Sequence, residues 1–189
     1  MARRKTIAIL YHARGTYPLR SAVETHLFAW KRHSQHRSVY INAAFNDPVK
    51  VLRDTRPDVI IVHTSFCSLR WNDAEFARLR STMDAIGQIS ALTLAMPQDE
   101  YYFTRRLREM IAALGVDVVL SCAEASNWDA LYGELTQTLT FQTVLTGYLA
   151  ENVVERASQS NKPIADRAIF VSYRAWDTGF WLGEHGTHK

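Results

Sequence analysis

The sequence has few cysteines, little net charge and no long apolar run. Cys67 and Cys122 are the two cysteines in 189 residues, which is too few for a disulfide framework and favours a reducing cytoplasm. The 22 basic and 19 acidic residues leave a formal charge of +3 and are scattered, which argues against nucleic acid as a partner. No segment reaches the roughly 18 apolar residues of a membrane span. We therefore expect a soluble cytoplasmic protein with no transmembrane segment.

Several motifs of nucleotide, metal and nucleophilic chemistry are also missing. The first predicted βα loop contains a lone Gly15, so the G-x-G-x-x-G fingerprint is absent, and no G-x-x-x-x-G-K-[ST] loop occurs. There is no Asp-x-Asp pair, and His33 and His36 lie at a predicted helix end, where solvated histidines are commoner than metal ligands. No G-x-S-x-G elbow is present. We expect neither a metal nor a cofactor.

Apolar runs of strand length alternate with segments of helical periodicity. The predicted strands are residues 6–11, 38–42, 59–62, 90–96, 116–120 and 141–145. Ser21, Asp47 and Asn72 are predicted to cap helices at their starts, and Gly87 and Gly115 at their ends. This alternation predicts an α/β fold, a Rossmann-like, doubly wound, mainly parallel sheet with helices on both faces. The positions predicted to be buried in it are Ile7, Ile9, Val59, Ile61, Leu94, Val118 and Leu120.

The pattern changes near residue 160, after a last predicted helix at about residues 148–158. We predict a Rossmann-like domain over residues 1–160 and an aromatic, glycine-rich segment over residues 161–189, which includes Tyr173, Trp176, Phe180 and Trp181. Exposed aromatic side chains at such density indicate an interface. Its partner would be a second domain or a second copy of the chain. The alternative is that the segment folds back over one end of the sheet.

Polar residues follow five of the six predicted strands. They are His12, then His63, Thr64 and Ser65, then Gln98, Asp99 and Glu100, then Ser121 and Cys122, and finally Thr146. The carboxyl ends of parallel strands meet at one edge of a sheet, where ligands bind in α/β proteins. With the strand order 3-2-1-4-5-6, the loops after strands one and four would flank the binding crevice. Polar residues also follow strands for structural reasons, and that alternative stays open.

Five segments resemble, in this order, the N-terminal half of bacterial GT-B-type glycosyltransferases of family 1, which are associated with surface polysaccharide synthesis. They are FCSLRW at 66–71, MPQDEY at 96–101, GVDVVLS at 115–121, VLTGY at 144–148 and YRAW…FWLG at 173–183. The resemblance implies two Rossmann-like domains facing across a cleft. The N-terminal domain would bind the acceptor and the other would bind the nucleotide sugar, without a metal.

The resemblance implies that this chain is the acceptor-binding half of a glycosyltransferase. Asp99, Glu100 and His12 are the candidates for the base that deprotonates an acceptor hydroxyl. The substrate-binding candidates are His63, Ser65, Gln98, Tyr101, Thr146 and Arg174. The alternative is a non-enzymatic Rossmann-like module that binds a small molecule or a protein. A second αβ-alternating domain encoded after Lys189 would favour the enzyme.

Overall fold

The computed structural model of the protein describes residues 3–15, 19–145, 151–159 and 162–168. These residues fall into two units, one ending at Leu145 and one beginning at Glu151. Thr146, Arg174 and the aromatic residues from Tyr173 onward lie outside the described residues. None of the helices in the described ranges is long and apolar enough to span a bilayer.

Six parallel strands form the sheet of the first unit. They are β1 Thr6–Tyr11, β2 Arg37–Asn42, β3 Val59–Val62, β4 Leu92–Ala95, β5 Val118–Ser121 and β6 Thr140–Thr143. The predicted Rossmann-like α/β fold class is confirmed. The expected order is wrong, because β3 pairs with the free side of β1 and gives the order β2-β1-β3-β4-β5-β6. The crevice at the reversal of strand order is therefore flanked by the loops after β1 and β3.

Short helices connect the strands. They are α1 Ser21–Leu27, α2 Ala29–His33, α3 Pro48–Thr55, α4 Thr64–Cys67, α5 Asp73–Arg78, α6 Arg80–Gly87, α7 Thr104–Ala113 and α8 Trp128–Tyr132, and the second unit contains α9 Glu151–Gln159. The predicted caps Asp47 and Asn72 are confirmed, since their side chains accept hydrogen bonds from the first backbone N–H groups of α3 and α5. Ser21 was predicted wrongly as a cap. It is already helical, and Arg20 precedes it without a side-chain cap.

The two faces of the sheet are covered unequally. One face carries the larger apolar core, which α3, α6 and α7 supply with Leu52, Met83 and Leu107. On the other face, Leu27, Phe28 and Trp30 pack over β1 and β3. Ile7, Ile9 and Ile61 are buried there, as predicted. The same prediction was wrong for four residues, which are only half-buried: Val59, Leu94, Val118 and Leu120. The last three lie on β4 and β5, away from the apolar cluster centred on β1 and β3.

Two aspartates tie neighbouring strands together at the amino edge of the sheet. Asp58 precedes β3 and accepts a 2.7 Å hydrogen bond from the backbone N–H of Thr6 in β1. Asp117 precedes β5 and accepts a 2.8 Å bond from the backbone N–H of Thr93 in β4. The bond from Thr6 is the largest cause that lowers the pKa of Asp58. These carboxylates therefore fix strand register at the edge opposite the candidate site.

Two glycines bring the ends of α6 and α7 into backbone contact. Gly115 follows α7 with φ +59, as its predicted role as a cap requires. Gly87 is the last residue of α6, and Gln88 is the residue that caps this helix. A Cβ on Gly87 would collide with the carbonyl oxygen of Ala113, and one on Gly115 would lie 3.0 Å from the carbonyl oxygen of Gly87. Glycine is needed at both positions because the two backbones touch.

Candidate functional site

A small pocket lies at the carboxyl edge of the sheet. Its lining comes from α1, from β5 and from the segments after β3, β4, β5 and β6: His26, Thr64, Met96, Pro97, Gln98, Leu120, Cys122, Val144 and Leu145. The cavity volume is about 30 Å³, which is room for a group about the size of one or two water molecules. None of these lining residues carries a formal charge at neutral pH when His26 is neutral. The pocket can therefore take one small, uncharged group of a larger ligand.

Two histidines are in contact at the pocket: His26 lines it, and His63 lies behind His26. His63 is fully buried, and its Nδ1 accepts a 3.1 Å hydrogen bond from the backbone N–H of Ser65. The other ring nitrogen of His63, Nε2, lies 2.9 Å from Nδ1 of His26. Burial, followed by the neighbouring His26, lowers the pKa of His63 to about 3, so the ring is neutral at neutral pH. A neutral imidazole has one N–H, and the backbone contact places it on Nε2.

Ser65 connects this histidine pair to the end of β1. Its hydroxyl lies 2.9 Å from Nδ1 of His63 and accepts a 3.3 Å hydrogen bond from the backbone N–H of His12. His12 is half-buried, and its Nε2 atom is buried without a hydrogen-bond partner among the described residues. Burial is the first cause that lowers the pKa of His12, followed by Arg14. The loops after β1 and β3 are thus joined at the crevice.

Arg70 holds the loop after β4 from the inside. Its side chain is fully buried, and it donates from Nη2 to the carbonyl oxygens of Gln98 at 2.7 Å and Asp99 at 2.9 Å. Its Nη1 donates to the carbonyl oxygen of Cys67 at 2.8 Å, and its Nε donates to that of Tyr102 at 3.2 Å. These bonds satisfy backbone carbonyls in a stretch of irregular chain, where no helix or strand supplies a partner. The loop that carries Gln98 and Asp99 is therefore a fixed element of the site.

Asp99 and Glu100 are neighbours in sequence with opposite environments. Glu100 is buried and accepts a 2.7 Å hydrogen bond from the Ser121 hydroxyl and a 2.6 Å bond from the backbone N–H of Cys122. The Tyr132 hydroxyl also donates to this carboxylate, and burial followed by this bond raises the pKa of Tyr132. Glu100 thus ties the loop after β4 to β5 and α8. Asp99 is exposed, with φ +51.

No protein-family model and no curated protein matches this chain. The assignment of function therefore depends on the residues and on their geometry.

The structure places most of the predicted site residues on one edge of the sheet. His12, His63, Gln98, Asp99 and Glu100 all follow the carboxyl ends of parallel strands, as predicted. Of the predicted residues, Gln98 lines the pocket, while His63 and Ser65 lie behind it. Thr64 and Cys122 were predicted to lie at this edge but were not named as site residues, and His26 was not predicted at all. Nothing in the sequence pairs His26 with His63, which lies 37 residues further along the chain.

Exposed aromatic rings flank the loop that Arg70 holds. Tyr101 is 75% exposed, and Tyr102, Phe103 and Trp71 are also exposed. The rings of Tyr102 and Phe103 meet edge-on at 4.7 Å, and those of Tyr102 and Trp71 at 6.4 Å between centroids. Clustered exposed apolar side chains mark surfaces that bind ligands or proteins. This aromatic surface begins three residues after Gln98 in the chain.

Proposed function

We propose that the first unit is the acceptor-binding domain of a GT-B-like glycosyltransferase. In this proposal it acts in the cytoplasm, where it presents a saccharide or related acceptor to a nucleotide sugar held by a second domain, in surface polysaccharide synthesis. The observation that carries the proposal is the uncharged pocket, in which His26, Thr64 and Gln98 stand beside apolar side chains. A saccharide has the matching chemistry, since it combines neutral hydroxyl groups with apolar C–H faces.

In this proposal the small cavity binds one part of the ligand and the aromatic surface binds another part. One hydroxyl group enters the cavity of about 30 Å³. The apolar face of the sugar ring packs on an exposed aromatic side chain, for which Tyr101 is the proposed residue because it is the most exposed ring of the cluster. Aromatic side chains bring a large apolar surface together with a polar tip, which suits an amphipathic ring.

Asp99 is the base in this proposal. Its side chain is exposed, while Arg70 fixes its backbone carbonyl. Glu100 has its oxygens engaged by Ser121, Cys122 and Tyr132, which leaves it a structural role. Removal of a proton from the acceptor hydroxyl as the new bond forms is worth about 10² to 10⁴ in rate.

A non-enzymatic binding module is the second candidate. The observation that favours it is the absence of a carboxylate from the described residues that line the pocket. Such a site can hold a neutral ligand without taking its proton. Fold alone does not separate a binding module from an enzyme domain.

Titration of the 189-residue chain with neutral saccharides tests both candidates. Binding followed by amide NMR should shift the signals of Thr64, Gln98 and Cys122 first. The variant Gln98→Ala should weaken binding by about threefold to tenfold, as expected for one lost hydrogen bond. The exposed Gln137→Ala is the matched control and should leave affinity unchanged. Failure of a broad set of neutral saccharides to bind would overturn the acceptor proposal.

A further inference from the structure

We infer that His26 selects the ligand of this pocket as a fixed hydrogen-bond donor, set in that state by His63, and that the group it selects is a neutral oxygen. The ligand class rests on the proposed function. The donor state of His26 does not, because it follows from contacts within the chain. His26 is thus a recognition residue that the sequence pattern does not indicate.

The tautomer of His63 is fixed by its contact with the backbone of Ser65. A backbone N–H can only donate, so the 3.1 Å contact from Ser65 makes Nδ1 of His63 an acceptor. His63 directly precedes α4, and its side chain accepts this bond as the cap of that helix. The ring is completely buried and thereby kept from water. The single proton of neutral His63 is therefore on Nε2.

The proton on Nε2 of His63 in turn determines the tautomer of His26. Nε2 of His63 lies 2.9 Å from Nδ1 of His26, so Nδ1 of His26 must accept that proton. If Nδ1 of His26 carried a proton, its N–H group would face the Nε2–H group of His63, and no hydrogen bond could form between the two nitrogens. Neutral His26 therefore carries its proton on Nε2, which has no hydrogen-bond partner among the described residues. His26 lines the pocket, and the donor left for a ligand is this N–H group.

The amide group of Gln98 is a second donor beside His26. The hydroxyl of Thr64 donates to Oε1 of Gln98 at 3.4 Å, which leaves the amide N–H groups of Gln98 for a ligand. Both His26 and Gln98 line the pocket. Two donors suit an oxygen atom with two lone pairs, as in a hydroxyl, an ether or a carbonyl group.

The charge of the lining decides between neutral and ionised ligand groups. An ammonium group can only donate, so it opposes both N–H donors. A carboxylate or phosphate could accept from them, but the described lining residues include no lysine or arginine to compensate its charge. An anion buried without a paired charge is strongly disfavoured. A neutral oxygen satisfies the donors without either penalty.

Histidine ¹⁵N NMR of the 189-residue chain at about pH 7 tests the donor state without any ligand. The signals of His26 and His63 can be assigned from the variants His26→Gln and His63→Gln. Both rings should show the proton on Nε2. Ser65→Ala is the matched control, because it removes the hydroxyl but keeps the backbone N–H, and the tautomers should not change. A proton on Nδ1 of His26 in the native chain would overturn the inference.

A matched set of probes tests the ligand class. Methyl glucoside, its 6-phosphate and its 6-amino-6-deoxy analogue differ in one group, and the neutral probe should bind at least about fivefold more tightly, the worth of one hydrogen bond. Its binding should shift the Nε2–H signal of His26. His26→Phe should remove the preference, while His33→Phe, at an exposed position of α2, should keep it.

The outcomes separate the two proposals. Tighter binding of the amino or phosphate probe would overturn the selection by His26. So would binding of the neutral probe without a shift at His26, and in that case the acceptor proposal would stand. Correct tautomers with no binding of this or any other neutral saccharide would support the donor state and overturn the acceptor proposal.

Discussion

The Nη2 atom of Arg70 lies 2.7 Å from the carbonyl oxygen of Gln98. This contact links a buried cation to the backbone of a residue that lines the pocket. The same nitrogen also reaches the carbonyl oxygen of Asp99 at 2.9 Å. The conformation of the loop after β4 is therefore set by a buried residue that no ligand touches in our proposals.

Arg70→Met should destabilise the protein by on the order of 3 kcal/mol or more, because four backbone carbonyl groups lose a charged donor at once. Methionine has a similar length but no donor. Urea unfolding measures the effect. Arg105→Met is the control, since Arg105 is 91% exposed in its pair with Glu109, and a change within about 0.5 kcal/mol is expected there. Equal stabilities of the two variants would contradict the role of Arg70.

Glu100→Gln should lower stability by on the order of 2 kcal/mol, because an amide group replaces an oxygen that accepts a hydrogen bond. Its donors, Ser121, the Cys122 backbone and Tyr132, would then face an N–H group. Asp99→Asn is the matched control for stability. Asn tolerates the positive φ of this exposed position, so little change is expected. Thermal unfolding of both variants side by side makes the comparison.

Asp99→Asn should lower turnover at least about tenfold in a two-domain transferase that contains this unit, because it removes the proposed base. Steady-state kinetics with saturating acceptor would show the loss in kcat, with stability unchanged. Unchanged turnover would move the proposed base to His12. The first unit without a donor domain should show no transfer.

Stability should fall as the pH is lowered below about 6.5, and His63 should account for part of this fall. The pKa of His63 is about 3 in the folded protein against an ordinary value of 6.5, so the unfolded chain binds this proton more readily. The stability from neutral His63 is thus complete above pH 6.5 and is lost as the pH falls to about 3. Each pKa unit is worth about 1.4 kcal/mol.

The variant His63→Gln isolates this contribution. Its unfolding free energy should depend less steeply on pH between about 6.5 and 4 than that of the native chain. His33→Gln, at an exposed position, should keep the native slope. A slope unchanged in the His63 variant would show that His63 is protonated in the folded protein over this range.

Gly87→Ala should destabilise the protein by about 1–3 kcal/mol, as expected for an overpacked site. The added Cβ would meet the carbonyl oxygen of Ala113, which is a backbone atom with no rotamer to change. Gly15→Ala is the control, since no described atom lies within 4 Å of a Cβ at that position. Calorimetric melting of both variants is the measurement, and similar melting temperatures would contradict the backbone contact at Gly87.

The two thiols should differ in reactivity. Cys67 is buried, and burial raises the pKa of its thiol to about 12. Cys122 is only partly buried, although burial followed by Glu100 also raises its pKa. Iodoacetamide labelling of the native chain, read by mass spectrometry, should modify Cys122 slowly and Cys67 only after unfolding. A ligand in the pocket should protect Cys122. Equal labelling of both thiols in the native state would be the contrary result.

Local sequence features predicted the elements of the fold but not their order. Asp47 and Asn72 act on backbone groups two or three residues away, so their roles as caps could be recognised from the sequence. The place of β3 beside β1 could not be recognised, because an apolar strand of this kind suits either side of a parallel sheet. Val118 and Leu120 are half-buried because of the way the helices cover the second face of the sheet. The apolar sequence of a strand does not indicate which helices will cover it.

The position of the site followed from strand direction, whereas its internal contacts did not. Parallel strands bring His12, His63 and Gln98 to one edge whatever their order. The link between His26 and His63 joins residues 37 positions apart, and that between Glu100 and Tyr132 joins residues 32 positions apart. Sequence spacing carries no signal for such pairs, so Glu100 looked as available for chemistry as Asp99.

The strand order also determines how the chain can assemble as it is synthesised. From β4 onward, each strand pairs with the strand that precedes it in the sequence. A nascent chain that has formed β1, β2 and β3 therefore offers an edge on which β4, β5 and β6 can be added in the order in which they leave the ribosome. No strand has to be inserted between two that are already paired. The sheet can thus grow vectorially, with each βα unit completing the edge required by the next.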